Sequence, residues 1–222
     1  MHARHEDQGV PSLTFWFDPI SPYAWLAFDR LPQVLEGLSY RVDYRPVLFA
    51  GLLQHHAHKG PAEIGPKRAW TYRDVAWRAH RQGTPLDLPA VHPFNPLPLL
   101  RLALACAPKA GLPNRRVVEA VMRHVWVGGA DATDPDRLAA LHTALAPQRD
   151  PACDDVKAEL RAAGQAALAQ GVFGVPTVVC DGRAFWGDDA LPMLRAAMAG
   201  DPWFEGPAWA QAERPRPSVL RG

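Results

Sequence analysis

Cysteine is scarce in this chain and poorly placed for chemistry. Its three cysteines, Cys106, Cys153 and Cys180, are odd in number and widely spaced, and no two form Cys-x-x-Cys. Neither a disulfide framework nor a dithiol redox centre follows from such a set, and the three read as small apolar side chains. A surplus of one charge sign is also missing: 24 Lys and Arg against 23 Asp and Glu leave a formal net charge of +1. That balance leaves no electrostatic footprint for nucleic acid and directs attention to small molecules. No apolar run is long enough to span a bilayer, and Met1 to Val10 is polar and charged, without the apolar core of a signal peptide. The expectation is a cytoplasmic protein that engages neither membrane nor nucleic acid.

What is present is an ordinary globular composition, 48% apolar and 21% charged over 222 residues. That length buries a full core and suits one domain with an insertion or two closely joined domains. Leu13 to Phe17 alternates into Asp18-Pro19 and predicts a buried strand running into a turn. Ser21-Pro22 then gives an N-cap followed by proline at the first helical position, and Trp25, Leu26, Ala27, Leu31 and Leu35 carry a helix to Gly37, with a kink expected at Pro32. Tyr40, Val42 and Tyr44 alternate in a second strand, which completes a βαβ unit. From Pro66 to Gln170 the pattern is helical throughout, broken by proline and glycine clusters. Strand character returns at Pro176 to Cys180, turns at Asp181-Gly182, and continues through Arg183 to Trp186 before a last helix from Asp189 to Ala199. After Pro202 a tail rich in Pro, Arg, Glu and Ala reads as surface-bound or loose.

Three segments could carry chemistry. Ser21 stands where a strand feeds a helix N-terminus; it is either a plain helix cap or part of an anion site able to hold a thiolate. Gly171 to Thr177 places a Val175-Pro176 bond between glycines and a strand. It is either a trans turn or a cis bond that exposes the Val175 backbone to a peptide ligand. In Trp186-Gly187-Asp188-Asp189 two acids start a helix, either as caps or with one of them meeting a ligand ammonium group. On the helical stretch, Asp74 and Arg78 have the i, i+4 spacing of an ion pair. His55, His56 and His58 lack a Cys or acid at ligand spacing, so no metal site is expected.

The segments from Phe17 to Ala27, Gly171 to Thr177 and Phe185 to Asp189, with Arg45 to Gly51, Lys59 to Ile64 and His92 to Leu97 between them, occur in an order and spacing that resemble the 2-hydroxychromene-2-carboxylate isomerases and the related kappa-class glutathione transferases. The resemblance covers nearly the whole chain. It implies an α/β thioredoxin-like fold with a large all-helical insertion domain: a discontinuous thioredoxin-like domain at 12–48 and 171–203, the insert at 49–170 and a tail at 204–222. The family's cofactor is glutathione. Ser21 matches the serine that contacts its sulfur, Val175 before Pro176 the residue that pairs with its cysteinyl backbone, and Trp186, Gly187, Asp188 and Asp189 the turn that holds its γ-glutamyl end. His58 falls where the kappa class carries an asparagine that contacts glutathione, and Ala190 where many isomerases carry an arginine.

The activity implied is a glutathione-dependent isomerisation of 2-hydroxychromene-2-carboxylate or a related aromatic carboxylate, by a homodimer. A kappa-type transferase is the first rival, and a redox or non-catalytic thioredoxin-fold protein the second. For the substrate pocket the expectation is Lys67, His92, Phe94 and Trp126 on the insert, with Trp70 and Trp77 as further aromatic walls, because an aromatic acid needs flat apolar surfaces and one cation. Each of these aromatics could equally be core.

Overall fold

The structure is a computed structural model and describes residues 10–212 and 214. The sequence reading of residues 1–9 and of the tail beyond 214 lies outside the described residues. No helix among those described is long and apolar enough to cross a membrane.

Four strands form one mixed sheet in the order β2-β1-β3-β4: β1 Ser12–Phe17, β2 Arg41–Pro46, β3 Thr177–Cys180 and β4 Arg183–Trp186. β1 and β2 pair in parallel, as a βαβ unit requires, through the crossover helix α1, Pro22–Val34. β1 pairs antiparallel with β3, and β3 with β4, across a two-residue turn in which Asp181 and Gly182 both take positive φ. Between β2 and β3 the described chain holds no strand: α2 Phe49–His55, a 3₁₀ turn at Pro61–Glu63, α3 Gly65–Gln82, α4 Leu97–Ala105, α5 Arg115–Trp126, α6 Pro135–Leu145 and α7 Asp154–Ala169 follow one another. The last helix starts later than the sequence suggests. Residues Asp188–Ala190 form a 3₁₀ turn, and α8 occupies Leu191–Met198.

α1 continues through Pro32 and ends within two residues of it. Proline has no N–H for the carbonyl of Phe28, one turn back; that carbonyl accepts instead from Arg115 Nη2 of α5 at 3.2 Å. The carbonyl that Pro32 leaves without its helical donor thus becomes a link to the next layer.

The core does not divide with the sheet and the helices. Leu13, Phe15 and Phe17 of β1 pack with Trp25 and Phe28 of α1 and with Val118, Val121, Met122 and Trp126 of α5 in one cluster. Trp16, on the other face of β1 by strand alternation, packs with Val47, Leu52, Ala167 and Val172. The sheet is therefore covered on both faces, and its second face is covered by α2 and α7.

Of the two alternatives for the C-terminal segment, surface-bound or loose, its described part takes the first, with regular structure that the sequence reading did not assign: Pro202–Glu205 forms a 3₁₀ turn and α9 spans Pro207–Ala212. Phe204 is buried against Phe185 and Trp209, with ring centroids 6.3 and 5.3 Å apart. Trp203, Phe204 and Trp209 supply apolar area that an overall Pro-Arg-Glu composition conceals.

Candidate functional site

A cleft of about 1060 Å³ opens between the edge of the sheet layer and the helices. A larger share of its wall is carbon than polar atom, and its volume suits a tripeptide with a second small molecule beside it. Of the residues singled out from the sequence, Ser21, His58, His92, Phe94, Val175, Pro176, Trp186, Gly187, Asp188 and Asp189 line it.

Ser21 sits at the floor, N-cap of α1, with an extended backbone that lets its Oγ accept from Ala24 N–H at 3.2 Å. The same hydroxyl donates to the Val175 carbonyl at 3.1 Å, and Val175-Pro176 is a cis peptide. The capping role and the placement at a ligand site thus coexist in one side chain. Val175 N–H has no hydrogen-bond partner among the described residues, so the strand-like edge ahead of β3 is open for pairing.

The turn Trp186 to Asp189 resolves the two acids. Asp188 is buried and committed: Arg78 Nη1 lies 3.1 Å from one of its oxygens, and Gln82 and Arg30 approach the other at 3.5 and 3.9 Å. Burial raises its pKa and the Arg78 charge opposes that rise. Asp189 is exposed in the cleft, and so is the acid available to a cation. The predicted Asp74–Arg78 pair forms at 2.8 Å and extends further than its spacing shows, because Tyr23 O–H also donates to Asp74 at 2.9 Å. One chain of polar groups thus joins α1, α3 and the 186–189 turn. Gly174 is needed where it stands: a Cβ there would come within 2.6 Å of the Trp186 Nε1, and the indole, packed against Phe173 with ring centroids 4.9 Å apart, would have to move.

Four insert residues are placed otherwise than expected. Lys67 is exposed on α3 and does not line the cleft; the lysine that does is Lys59, beside His58 and His56. Trp70 and Trp77 are exposed, at 67% and 59%, on the face of α3 turned away from its buried Val75 and Ala79, and they line no part of the cleft. Trp126 is fully buried behind the cleft wall and donates its indole N–H to the Pro19 carbonyl at 2.9 Å. Helical spacing assigns these residues to α3 and α5 but not to a face, since the face depends on which neighbour each helix meets. The described residues hold no group of three or more His, Cys, Asp or Glu side chains gathered as for a metal ion. The cysteines are free, and burial pushes Cys180 up to about 11, far from a reactive thiolate.

Asp18 was read only as part of a turn, yet it is, with Asp188, a buried carboxylate of the site. Its oxygens accept from Ile20 N–H and from Phe49 N–H, each at 2.9 Å, which ties the β1–α1 loop to the start of α2. Burial raises its pKa to about 7 against those two bonds. The available signal was an acid at a strand end directly before a helix cap, a pattern shared with ordinary turns.

Residues 12–199 match the family model described as DSBA-like thioredoxin domain. The chain is 27% identical over 192 residues to a 2-hydroxychromene-2-carboxylate isomerase of Sphingobium xenophagum, covering 83% of this chain and 96% of that protein. It is 24% identical over 209 residues to glutathione S-transferase kappa 1 of Rattus norvegicus, covering 86% and 92%. A solved structure of 2-hydroxychromene-2-carboxylate isomerase superposes with a TM-score of 0.73 at 24% identity, covering 85% of this chain and 94% of that one. With the mixed sheet, the cis-proline facing the first helix and a match that spans most of its length, the chain belongs to the DSBA-like thioredoxin domain family.

Proposed function

We propose that this protein is a glutathione-dependent isomerase acting on 2-hydroxychromene-2-carboxylate or a closely related aromatic carboxylate, with its thioredoxin-like part at 12–48 and 171–203 and its helical insert at 49–170. The observation that carries the reading is the Ser21 hydroxyl, 3.1 Å from the Val175 carbonyl at the N-terminus of a 13-residue helix, in a cleft large enough for a tripeptide and a substrate. Relatives named for this isomerisation and for glutathione transfer support it.

The site's donors and acceptors fit glutathione. Val175 offers an unpartnered N–H and a carbonyl to a peptide-like backbone, Asp189 an exposed carboxylate to the γ-glutamyl ammonium, and His58 a side chain to the glycyl end. Glutathione, when bound, supplies a sulfur nucleophile that adds reversibly to the unsaturated substrate and is regained. The protein's part is electrostatic. When the Val175 carbonyl takes a ligand N–H, the Ser21 hydroxyl is released to donate to sulfur, and the α1 N-terminus favours the thiolate over the thiol. Phe49, Leu53 and Phe94 give the second half of the cleft its apolar walls, and Lys59 at its rim is the cation for the substrate carboxylate.

A second reading, kappa-type transfer of glutathione to a neutral electrophile, is favoured by one observation: apart from the rim, the cleft's cations are Arg78, occupied by two carboxylates, and His92, kept neutral by burial. Product analysis separates the two. Incubation with glutathione and 2-hydroxychromene-2-carboxylate should yield trans-o-hydroxybenzylidenepyruvate with glutathione recovered in full. Accumulation of a conjugate would select the transferase, and failure to bind glutathione at all would overturn both.

A further inference from the structure

Two residues expected to touch substrate use their N–H groups for something else. Pro19 and Ile20, which lead into Ser21, present successive carbonyls towards the helical insert. Trp126 of α5 donates its indole N–H to the first at 2.9 Å, and His92 bonds the second through Nε2 at 2.8 Å. A carbonyl only accepts, so His92 carries its proton on Nε2, and its Nδ1 accepts from the Tyr72 hydroxyl of α3 at 2.8 Å. Burial lowers the His92 pKa and holds the ring neutral, which suits this tautomer.

The N–H ends of the same peptide planes are bonded as well. Ile20 N–H donates to the Asp18 carboxylate at 2.9 Å, and Ser21 N–H to the Asp18 carbonyl at 3.0 Å. The Pro19–Ile20 and Ile20–Ser21 planes are thus each held at both ends, one end by Asp18 within the loop and the other by a side chain of the insert. A peptide plane fixed at its oxygen and its nitrogen cannot rotate, and the plane before Ser21 sets the direction of the Ser21 Cα–Cβ bond and of the first turn of α1. Neither donor is free to drift. Trp126 is fully buried, and the His92 ring packs 5.5 Å from it and 6.0 Å from Phe94.

We propose that Trp126 and His92 are positioning residues for Ser21: the insert aims the hydroxyl at the bound sulfur by holding the carbonyls of the two preceding residues. The proposal rests on the reading that Ser21 meets a glutathione thiolate. Trp126→Phe keeps an aromatic ring and removes the donor; His92→Gln places an amide N–H near the position of Nε2, and His92→Phe removes it. The readouts are the pKa of bound glutathione's thiol from its ultraviolet thiolate absorbance, kcat, glutathione affinity by calorimetry, and amide exchange at Ile20 and Ser21 in the glutathione-free protein.

Trp126→Phe and His92→Phe should each lower kcat about ten- to a hundred-fold, raise the bound thiol pKa and speed exchange at Ile20 and Ser21, with glutathione affinity changed less than about threefold. His92→Gln should restore most of each. Folded variants with wild-type thiol pKa and kcat would overturn the proposal, as would a raised substrate KM at unchanged kcat, which would make these residues substrate contacts. Should Trp126→Phe fail to fold, the His92 pair decides alone, since its ring is only partly buried. Wild-type protein that binds no glutathione would overturn the underlying reading, and with it the proposal; binding without any effect of the variants overturns the proposal alone.

Discussion

The two walls of the cleft are built differently. The sheet side presents mostly main chain: the Val175 N–H and carbonyl, the α1 N-terminus, and the sharp turn at Gly187, whose φ of 94° excludes an ordinary side chain. The insert side presents side chains: Phe49, Leu53, Lys59 and Phe94. A backbone wall recognises what every copy of a tripeptide shares and changes little under substitution, whereas a side-chain wall is altered residue by residue. On the proposed function, glutathione would be held mainly by the first wall, with His58 of the insert, and the substrate by the second, while Arg78, His92 and Trp126 cross from the insert to hold the sheet side in place.

The sharpest way to break this division is at Ser21, the side chain of the sheet side proposed to meet the sulfur. Ser21→Ala should lower kcat/KM about 10²–10³-fold, as loss of a preorganised donor does, while costing only about 1 kcal/mol of stability through the lost cap. Steady-state kinetics beside thermal unfolding checks it, and an unchanged rate at saturating glutathione would remove the serine from the mechanism.

Next in size is the strut between the walls. Arg78→Met leaves Asp188 buried without its main partner and should destabilise the protein by about 2–4 kcal/mol, with weaker glutathione binding as the 186–189 turn loosens. Adding Asp188→Asn to Arg78→Met should recover most of the stability in denaturant titrations. If the double variant is no better than the single, the cost does not come from the stranded charge.

A smaller effect should appear on the side-chain wall alone. Lys59→Ala is expected to raise the substrate KM about five- to tenfold with glutathione affinity nearly unchanged, and Lys67→Ala should do neither, because Lys67 faces solvent outside the cleft. Paired calorimetry and kinetics distinguish them; a larger effect from Lys67 would mean that the cleft extends further along α3 than its walls indicate.

An effect of another kind is the pH dependence at the floor. Asp18 has a folded pKa of about 7 against 3.8, so the folded state binds its proton more tightly; the stability this adds is present at acid pH and lost as pH rises through about 7. His92 has the opposite sign. Its folded pKa lies below 6.5, so its contribution is present above 6.5 and lost as pH falls through the lowered value. Melting temperatures of wild type relative to Asp18→Asn should therefore rise as pH falls from about 8 to about 5. A flat difference would mean that Asp18 is not the group titrating.

Much of the fold was legible because its signals are local. Alternation over Leu13 to Phe17, the Ser21-Pro22 start, the Asp181-Gly182 turn and the strand at Arg183–Trp186 each follow from the conformational preferences of a few neighbouring residues. Less legible was the C-terminal segment, where composition outweighed three aromatic residues that needed Phe185 as a partner. At the site, Ser21 and the Val175-Pro176 bond stood out as a helix cap and a proline beside a strand, while their place together at one site was implied by the family resemblance. Lys67 and Trp126 were assigned to a pocket that they do not line, because nothing in their spacing states which way they face.

The sequence alone determined the strands, the helix that begins at Ser21 and the helical run between β2 and β3, since short-range sterics and hydrogen bonding decide these within a few residues, whereas the meeting of distant segments at one site was implied only by the family resemblance. Only the tertiary structure decided which acid of the 188–189 pair is spent on Arg78, that the buried Asp18 ties the loop to α2, and that Trp126 and His92 hold the carbonyls leading to Ser21. These contacts join residues 31 to 110 positions apart, and the low-dielectric interior that gives them their strength exists only once the chain has closed around them.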